Sequence, residues 1–573
     1  MNEWKKFLSG IWKLTKGYWN SEDKKRAWLL LITIIALNLT IVYLLVLITN
    51  WYNNFYNSLQ AYDQDAAFNY MKQFTGLAAL YIITAVYQVY LRQMLEINWR
   101  RWITDVYLSR WLHHENYYRM QLIKSATDNP DQRISDDLKM FTSMTLQLSL
   151  GLLKAVVTLI SFIAILWHLS GVLTVPTGGG GEIKIYGYMV WAAVAYAFLG
   201  TYLTHIIGRP LIKLNFNQQK YEADFRFSLV RLRENSESVA FYGGEGVERE
   251  TFLKRFHAVV DNFWQIMRRQ KRLNGFTSGY GQLAIIFPFV VALPRYFAKE
   301  IQLGGLMQIS SAFGRVQDAL SFFVDAYASL AEWRAVVDRL TSFVEDMEHA
   351  EQSRREEGEK LRVAVQDSPS LVLSNLTINL PEDGRILLKN FSFQLGAGDS
   401  LLVCGPSGIG KSTFLRTLAG LWPYAEGAIS LPPKYDALFV PQKPYLPLGT
   451  LREAFYYPEQ KGSEADLKRA LALCRLEGLL TYLDRTEDWS RVLSLGEQQR
   501  VAFARVLLKK PGWLFLDEAT SALDESIERK MYELLKSELP QTTIVSVGHR
   551  STLNAYHKKK LTIEGAEKWS VLQ

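Results

Sequence analysis

Polar and apolar positions divide this chain into two halves of different character. From Ala27 to Tyr62 no Asp, Glu, Lys or Arg occurs, and the stretch 27–51 alone can cross a bilayer as a helix, which takes roughly 20 apolar residues. Further charge-poor stretches predict spans near 74–91, 146–173, 185–208 and 273–294. A weaker sixth lies at 301–324, where Arg315 and Asp318 interrupt the apolar run. Beyond residue 370 the apolar runs shorten to strand length. Leu401 to Cys404, Trp513 to Leu516 and Thr543 to Val547 read as buried strands among helix-compatible segments. The expectation is a multidomain chain: an all-α, six-helix transmembrane domain over 1–344, a charge-dense linker over 345–369 and an α/β domain over 370–573. The first apolar stretch is too long for a signal peptide and lacks a small-residue cleavage site, so it is read as a retained span.

Lysine and arginine placement then sets orientation. The first 26 residues carry seven, the 92–143 loop eight and the 209–272 loop thirteen, whereas the 52–73 and 173–184 loops carry one each. By the positive-inside rule the N-terminus, both long loops and the C-terminal domain face the cytoplasm. The net charge of +8 is therefore topological, and with no RNA- or DNA-binding motif beside it, nucleic acid is not an expected partner. Only two cysteines occur, Cys404 and Cys474, which excludes a disulfide framework.

Chemistry concentrates in the last third. Gly405-Pro-Ser-Gly-Ile-Gly-Lys-Ser412 fits G-x-x-x-x-G-K-[ST] directly after a predicted strand. In that setting the backbone of Gly405, Ser407, Gly408 and Gly410 can face phosphate oxygens at a helix N-terminus that continues through Thr413. Lys411 is placed to reach the β- and γ-phosphates of ATP, and Ser412 to ligate Mg²⁺. About a hundred residues later a strand ends in Asp517 and Glu518. Asp517 is expected in the Mg²⁺ shell, and Glu518 is expected to orient or deprotonate the attacking water.

With these residues in order, the chain resembles the ATP-binding cassette family. Ser494-Leu-Gly496 is similar to the family signature, which implies that Ser494 and Gly496 cap ATP held by a second subunit. Gln442 in Pro441-Gln-Lys matches the coupling glutamine, also a Mg²⁺ contact; Ser521-Ala-Leu-Asp524 matches the loop bridging two nucleotide sites, and His549 matches the switch histidine. Two departures stand out. Leu495 and Glu497 replace the commoner Gly and Gln of the signature, and Leu380 stands where many members place an adenine-stacking ring.

The membrane half carries its own resemblance. Asn98-Trp-Arg-Arg-Trp102, Asp128-Asn-Pro-Asp-Gln-Arg133 and Glu222-Ala-Asp-Phe-Arg226 look like peptide-uptake permeases of the SbmA/BacA type, here fused to an ATPase. Asn235 to Gly244 is similar to a loop shared with peroxisomal fatty-acyl transporters. The resemblance implies an exporter-type fold, a homodimer in the bacterial cytoplasmic membrane among its lipids, and uptake of peptides or cobalamin. Export of lipid, drug or peptide, acyl-CoA transport, and an ATP-switched membrane sensor stay open as rivals. The turn near Tyr242 to Gly246 is expected to dock on an ATPase, as is the turn at Asp128 to Asp131. Arg315, Asp318, Asp325 and Glu332 share one helix face and suit either a substrate pathway or mutual pairing. The run Trp51 to Tyr56 is placed at the external interface as an anchor or a gate. Gly178 to Gly181 is read as a flexible external turn.

Overall fold

A computed structural model of the protein describes residues 2–122, 129–177, 181–381, 384–433, 435–459 and 461–572. Asp128 and Gly178 to Gly180 fall outside these residues, as does the side chain of Asp325. The chain forms two units, one of Met1–Ser109 with Thr127–Val344 and the other of Arg110–Ala126 with Glu345–Gln573.

The first unit is built from helices: α1 (Asn2–Trp19), α2 (Lys24–Gln60), α3 (Gln64–Leu112), α4 (Asn116–Leu122), α5 (Pro130–Gln132), α6 (Leu138–Ser170), α7 (Tyr188–Glu234), α8 (Ser236–Tyr242), α9 (Glu245–Phe297) and α10 (Leu303–Lys360), although α4 and the ends of α3 and α10 belong to the second. Among the described residues five helices are long and apolar enough to cross a membrane, and they overlap the first five predicted stretches, of which 146–173 and 185–208 run past their helices at 171–173 and 185–187. The sixth stretch is helical within α10 but fails that test, in keeping with Arg315 and Asp318. Lys154 of α6 and Asp318 both lie within electrostatic reach of Arg315. Between α6 and α7 the chain forms an antiparallel hairpin, β1 (Val172–Thr177) with β2 (Gly181–Tyr186).

Because lipid is as apolar as Leu, hydrophobicity does not select helix partners inside a membrane; polar and close-packed contacts do. Ile41 and Leu45 of α2, Phe162 of α6, Met189 of α7, Ala292 of α9 and Phe313 of α10 meet in one buried cluster. Around it, α2 and α10 are joined by amides. Asn53 Nδ2 donates to Gln308 Oε1 at 2.7 Å, Gln308 Nε2 donates to Asn50 Oδ1 at 2.9 Å, and Asn57 Oδ1 accepts from the Gly304 N–H at 2.8 Å. A Cβ on Gly304 would lie 1.9 Å from the Asn53 carbonyl oxygen, so only glycine lets the helices meet here. Between α7 and α9, Tyr196 and Tyr280 stack at 4.5 Å, and each hydroxyl donates to the other's backbone carbonyl. Trp51 stacks on Phe55 and donates to the Tyr70 carbonyl, which ties α2 to α3. The Asn98 to Trp102 motif has a packing role: Trp99 is buried, stacked on Tyr18 of α1 and edge-on to Phe141 of α6.

The second unit holds two principal sheets. A four-stranded one has the order β3 (Leu361–Val365), β7 (Ala425–Leu431), β4 (Leu371–Asn379), β5 (Ile386–Leu395). The stretch 345–369, read from its charge as a linker, is thus helix to Lys360 and then a strand parallel to β7. The six-stranded sheet runs β14 (Trp569–Leu572), β13 (Lys559–Ile563), β6 (Ser400–Cys404), β12 (Thr543–Val547), β11 (Trp513–Asp517), β8 (Ala437–Val440). All neighbours but β13 and β14 are parallel. Helix α11 (Lys411–Leu418) follows β6 and α16 (Glu525–Glu538) precedes β12. A helical subdomain of α12 (Leu451–Tyr456), α13 (Glu464–Leu473), α14 (Trp489–Val492) and α15 (Leu495–Lys509) packs on this sheet, its buried Phe455, Leu471, Trp489 and Phe503 sharing one core with Leu402, Leu514 and Ile544 of the strands. The two-residue strands β9 (Gly449–Thr450) and β10 (Thr486–Glu487) clip its edge.

Candidate nucleotide site

In a parallel sheet with helices on its faces, ligand groups gather beyond the carboxyl ends of the strands. Here four adjacent strands, β6, β12, β11 and β8, end at the same edge and deliver respectively the Gly405–Ser412 loop, His549, Asp517 with Glu518, and Gln442.

The loop after β6 takes its shape from glycine. Gly405, Gly408 and Gly410 have φ of 151°, 79° and 103°, where a side chain is strained. A Cβ on Gly405 would also lie 2.3 Å from the Ile563 carbonyl oxygen. Ser407 and Gly408 are exposed at the tip, and Gly410 hands the chain to α11, on which Lys411, Ser412 and Thr413 form the first turn. Lys411 is buried and its Nζ donates to the carbonyls of Gly405 and Pro406, at 3.0 and 2.9 Å. Burial lowers its pKa, with Glu518 the largest opposing charge. A buried ammonium curled over neutral carbonyls at a helix N-terminus suits an anion, and a polyphosphate fits the groups present.

Ser412 Oγ donates to Asp517 Oδ1 at 2.9 Å. Burial raises the Asp517 pKa, which the Ser412 bond opposes. A hydroxyl and a half-buried carboxylate side by side suit Mg²⁺, which takes oxygen ligands and keeps much of its water.

Glu518 points elsewhere. The strand ends at Asp517, and Glu518 takes a left-handed φ of 47°, a conformation that costs a non-glycine residue and is typical of functional sites. Its N–H is held by the Val547 carbonyl at 3.1 Å. Both carboxylate oxygens are engaged: Gln442 Nε2 donates to Oε2 at 3.0 Å, and His549 Nε2 lies 3.2 Å from Oε1. The backbone turn, beyond simple strand alternation, separates the directions of the two adjacent acids.

Ser494, Gly496 and Asp524 are not bonded to the phosphate loop among the described residues. Ser494 caps α15 in a capping box, its hydroxyl and N–H both donating to Glu497 Oε2 at 2.8 and 2.9 Å. Asp524 caps α16, accepting from the Ile527 N–H and the Ser526 hydroxyl, which hold its pKa low. Gly496 faces the Ala522 carbonyl. Leu380 packs against the sheet core.

Two residues escaped the sequence reading. Gln499 is fully buried in α15. Its Nε2 donates to the Gln442 carbonyl at 2.9 Å and Ser521 Oγ at 3.2 Å, while its Oε1 accepts from the Ala522 N–H at 3.0 Å. One amide thus holds the Gln442 loop and the Ser521 to Asp524 loop to the signature helix. Arg119 of α4 is buried, paired with Glu357, and donates to the Gly420 carbonyl just beyond the C-terminus of α11 at 3.1 Å. The segment between the second and third spans therefore contributes Arg119 to this unit, several residues before the turn predicted at Asp128 to Asp131. No sequence pattern marked either residue, since each is defined by its partners.

The family described as ABC transporter transmembrane region 2 matches residues 14–297, and that described as ABC transporter matches 388–521. The inner membrane ABC transporter ATP-binding protein YddA of Escherichia coli is 35% identical over 94% of this chain and 94% of its own. The human lysosomal cobalamin transporter ABCD4 is 27% identical over 84% of this chain and 82% of its own. A solved bacterial Atm1-family ABC exporter with ATP bound shares the fold, with a TM-score of 0.71 at 19% identity and 96% coverage of both chains. The chain belongs to the ABC transporter family, an ATP-hydrolysing transporter of exporter-type fold with membrane-spanning and ATPase regions in one polypeptide.

Proposed function

We propose that two copies of this chain form a homodimeric importer of peptides or of hydrophilic solutes such as cobalamin, of the SbmA/BacA-like branch, in the bacterial cytoplasmic membrane. The observation that carries the catalytic part is the Glu518 carboxylate. It is fixed by Gln442 and His549 beside, but apart from, the Ser412–Asp517 pair.

In this reading Lys411 leaves the Gly405 and Pro406 carbonyls to hold the β- and γ-phosphates of ATP, and the loop N–H groups share that charge. Ser412 and Asp517, with Gln442 at the rim, would hold Mg²⁺, whose charge would offset that of the phosphates. Glu518 orients the attacking water and takes its proton as the oxygen bonds to the γ-phosphorus and the bond to ADP breaks. His549 keeps the carboxylate aimed. Ser494 and Gly496, presented at the start of α15, close over the nucleotide of a second copy, and Asp524 lies on the loop that faces it. Closure shifts the membrane helices by stabilising one of two states.

The α7 to α9 hairpin supports a coupling role. Its tip, α8, exposes Phe241 and Tyr242 at 82% and 88%, and apolar surface of that kind at a loop tip suits docking. For cargo, support comes from the uptake-permease motifs and the relative named a cobalamin transporter; for location, from the clustering of Lys and Arg in alternate loops and the inner-membrane relative.

The test is uptake of labelled cobalamin and of a labelled peptide by cells carrying the protein or its Lys411→Ala variant. Uptake of at least one, lost in the variant, is expected. No uptake of either, with hydrolysis in inside-out vesicles stimulated by a lipid or drug, would overturn import in favour of export.

A further inference from the structure

Helices α7 and α9 enclose a groove of about 390 Å³ lined by Pro210, Lys213 and Leu214 on one side and Gln265, Arg268, Arg269 and Arg272 on the other. We propose that this groove binds the headgroup of an anionic phospholipid from the cytoplasmic leaflet, with an acyl chain running up α9.

The four cations converge by helix geometry. Positions 265, 268, 269 and 272 fall at i, i+3, i+4 and i+7, one face of α9, and 210, 213 and 214 form the facing stripe of α7. Among the described residues none of the four has an ion pair or side-chain hydrogen bond. The nearest acids along each helix are Glu222, nine residues beyond Lys213, and Asp261, seven before Arg268. At about 1.5 Å per residue these lie roughly 13 and 10 Å away along the axis, and Asp261, although its neighbour Asn262 bonds the Leu214 carbonyl beside Lys213, makes no ion pair with it among the described residues. Four unpaired like charges in one groove repel one another, and a phosphate relieves that repulsion.

The groove is held open from both ends. Toward the membrane, Tyr196 and Tyr280 clamp the helices. Toward the cytoplasmic tip, buried Asn262 of α9 donates to the Leu214 carbonyl at 2.9 Å and Gln218 Oε1 at 2.8 Å on α7. Between the clamps, Pro210 supplies no N–H to the carbonyl four residues before it, which loosens α7 at the groove wall.

Position selects a lipid over a soluble phosphate. Arg272 immediately precedes the apolar stretch 273–294. The α9 stripe continues from Arg272 through Gly275 and Gly279 to Leu283, and a Cβ on either glycine would meet nothing within 4 Å. The result is a trough without side chains leading from the cations to Leu283, which is 63% exposed. Cations at the interface followed by an open apolar trough match a phosphate headgroup followed by an acyl chain.

The test is native mass spectrometry of the full-length protein released from membranes of equal phosphatidylglycerol and phosphatidylcholine. Wild type should retain phosphatidylglycerol in preference. R268A/R269A/R272A should lose that preference about tenfold, and R231A/R249A/K254A, which removes equal charge nearer the hairpin tip, should keep it. Gly279→Leu, which fills the trough and leaves the cations, should weaken long-chain phosphatidylglycerol while sparing a short-chain form, and serves if the triple variant does not fold. Equal loss in both triple variants would overturn the site, as would full competition by soluble glycerol phosphate. Retention does not depend on which side faces the cytoplasm or on the cargo, so failure here is distinct from failure of the transport reading.

Discussion

In the nucleotide unit the polar groups that matter stand at the ends of four adjacent strands and bond to one another; in the membrane unit they lie within helices and bond one helix to the next. Ser412 to Asp517 and Gln442 to Glu518 are contacts a parallel sheet brings together whatever surrounds it. Asn53 to Gln308 and Tyr196 to Tyr280 exist only because particular helices are neighbours. The difference teaches where substitutions act. Removing a group from the first set should stop chemistry with the fold intact, whereas disturbing the second should loosen the fold itself.

The largest expected effect is at Lys411. Lys411→Ala removes the buried ammonium from the phosphate loop and should lower ATP hydrolysis by at least about 100-fold, the scale of losing a charged transition-state contact. Thermal unfolding should change little, because the lysine bonds only to carbonyls of its own loop. A large fall in stability would break the contrast between the two regions.

Gly304→Leu probes the other side. With the Cβ position 1.9 Å from a backbone oxygen, α2 and α10 must separate, and overpacking of this kind costs about 1–3 kcal/mol. Melting of the detergent-purified protein should report it. ATP binding at the strand ends should survive.

Acid sensitivity sharpens the comparison inside the nucleotide unit. His557 lies behind β12. Its Nδ1 is 2.8 Å from the Leu553 carbonyl and so carries the proton, and its Nε2 accepts from Ser546 Oγ at 2.8 Å. Burial pushes its pKa down from 6.5 to about 4. The fold thus favours neutral His557, while the unfolded chain takes up a proton below 6.5. The stabilisation is full above pH 6.5 and is lost as pH falls toward 4, by about 3 kcal/mol in all. Denaturation measured across this window should be steeper for wild type than for His557→Gln, and equal slopes would refute the assignment.

The smallest effect is at Asp524. As the cap of α16 it satisfies a backbone N–H of the first turn, so Asp524→Ala should lower the melting temperature slightly. A further loss of ATP-induced stabilisation would add the nucleotide role that the motif implies.

These regions also differ in how much their sequences disclose. Phosphate chemistry demands Gly, Lys and Ser at fixed spacing after a strand, and carboxylates at the end of another, so the P-loop, Asp517 and Glu518 were legible as residue types in order. Their mutual bonds follow from sheet order. Hydropathy located five membrane helices, but α10 carries Arg315 and Asp318 and did not stand out as strongly. Helix pairing stayed hidden, because an apolar surface looks alike toward lipid and toward protein. Asn50, Asn53 and Asn57, three amides at helical spacing in a charge-free stretch, were the available signal for the α2 to α10 seam. Gln499 and Arg119 carried no such signal, for their roles reside in the loops they hold.

The central claim is that Glu518 handles the attacking water while Lys411, Ser412 and Asp517 hold the nucleotide. Glu518→Gln in proteoliposomes tests it most directly, with ATP binding and steady-state hydrolysis measured on the same preparation. Retained binding with hydrolysis lowered by about 100-fold or more is the predicted result. Undiminished hydrolysis would contradict the account.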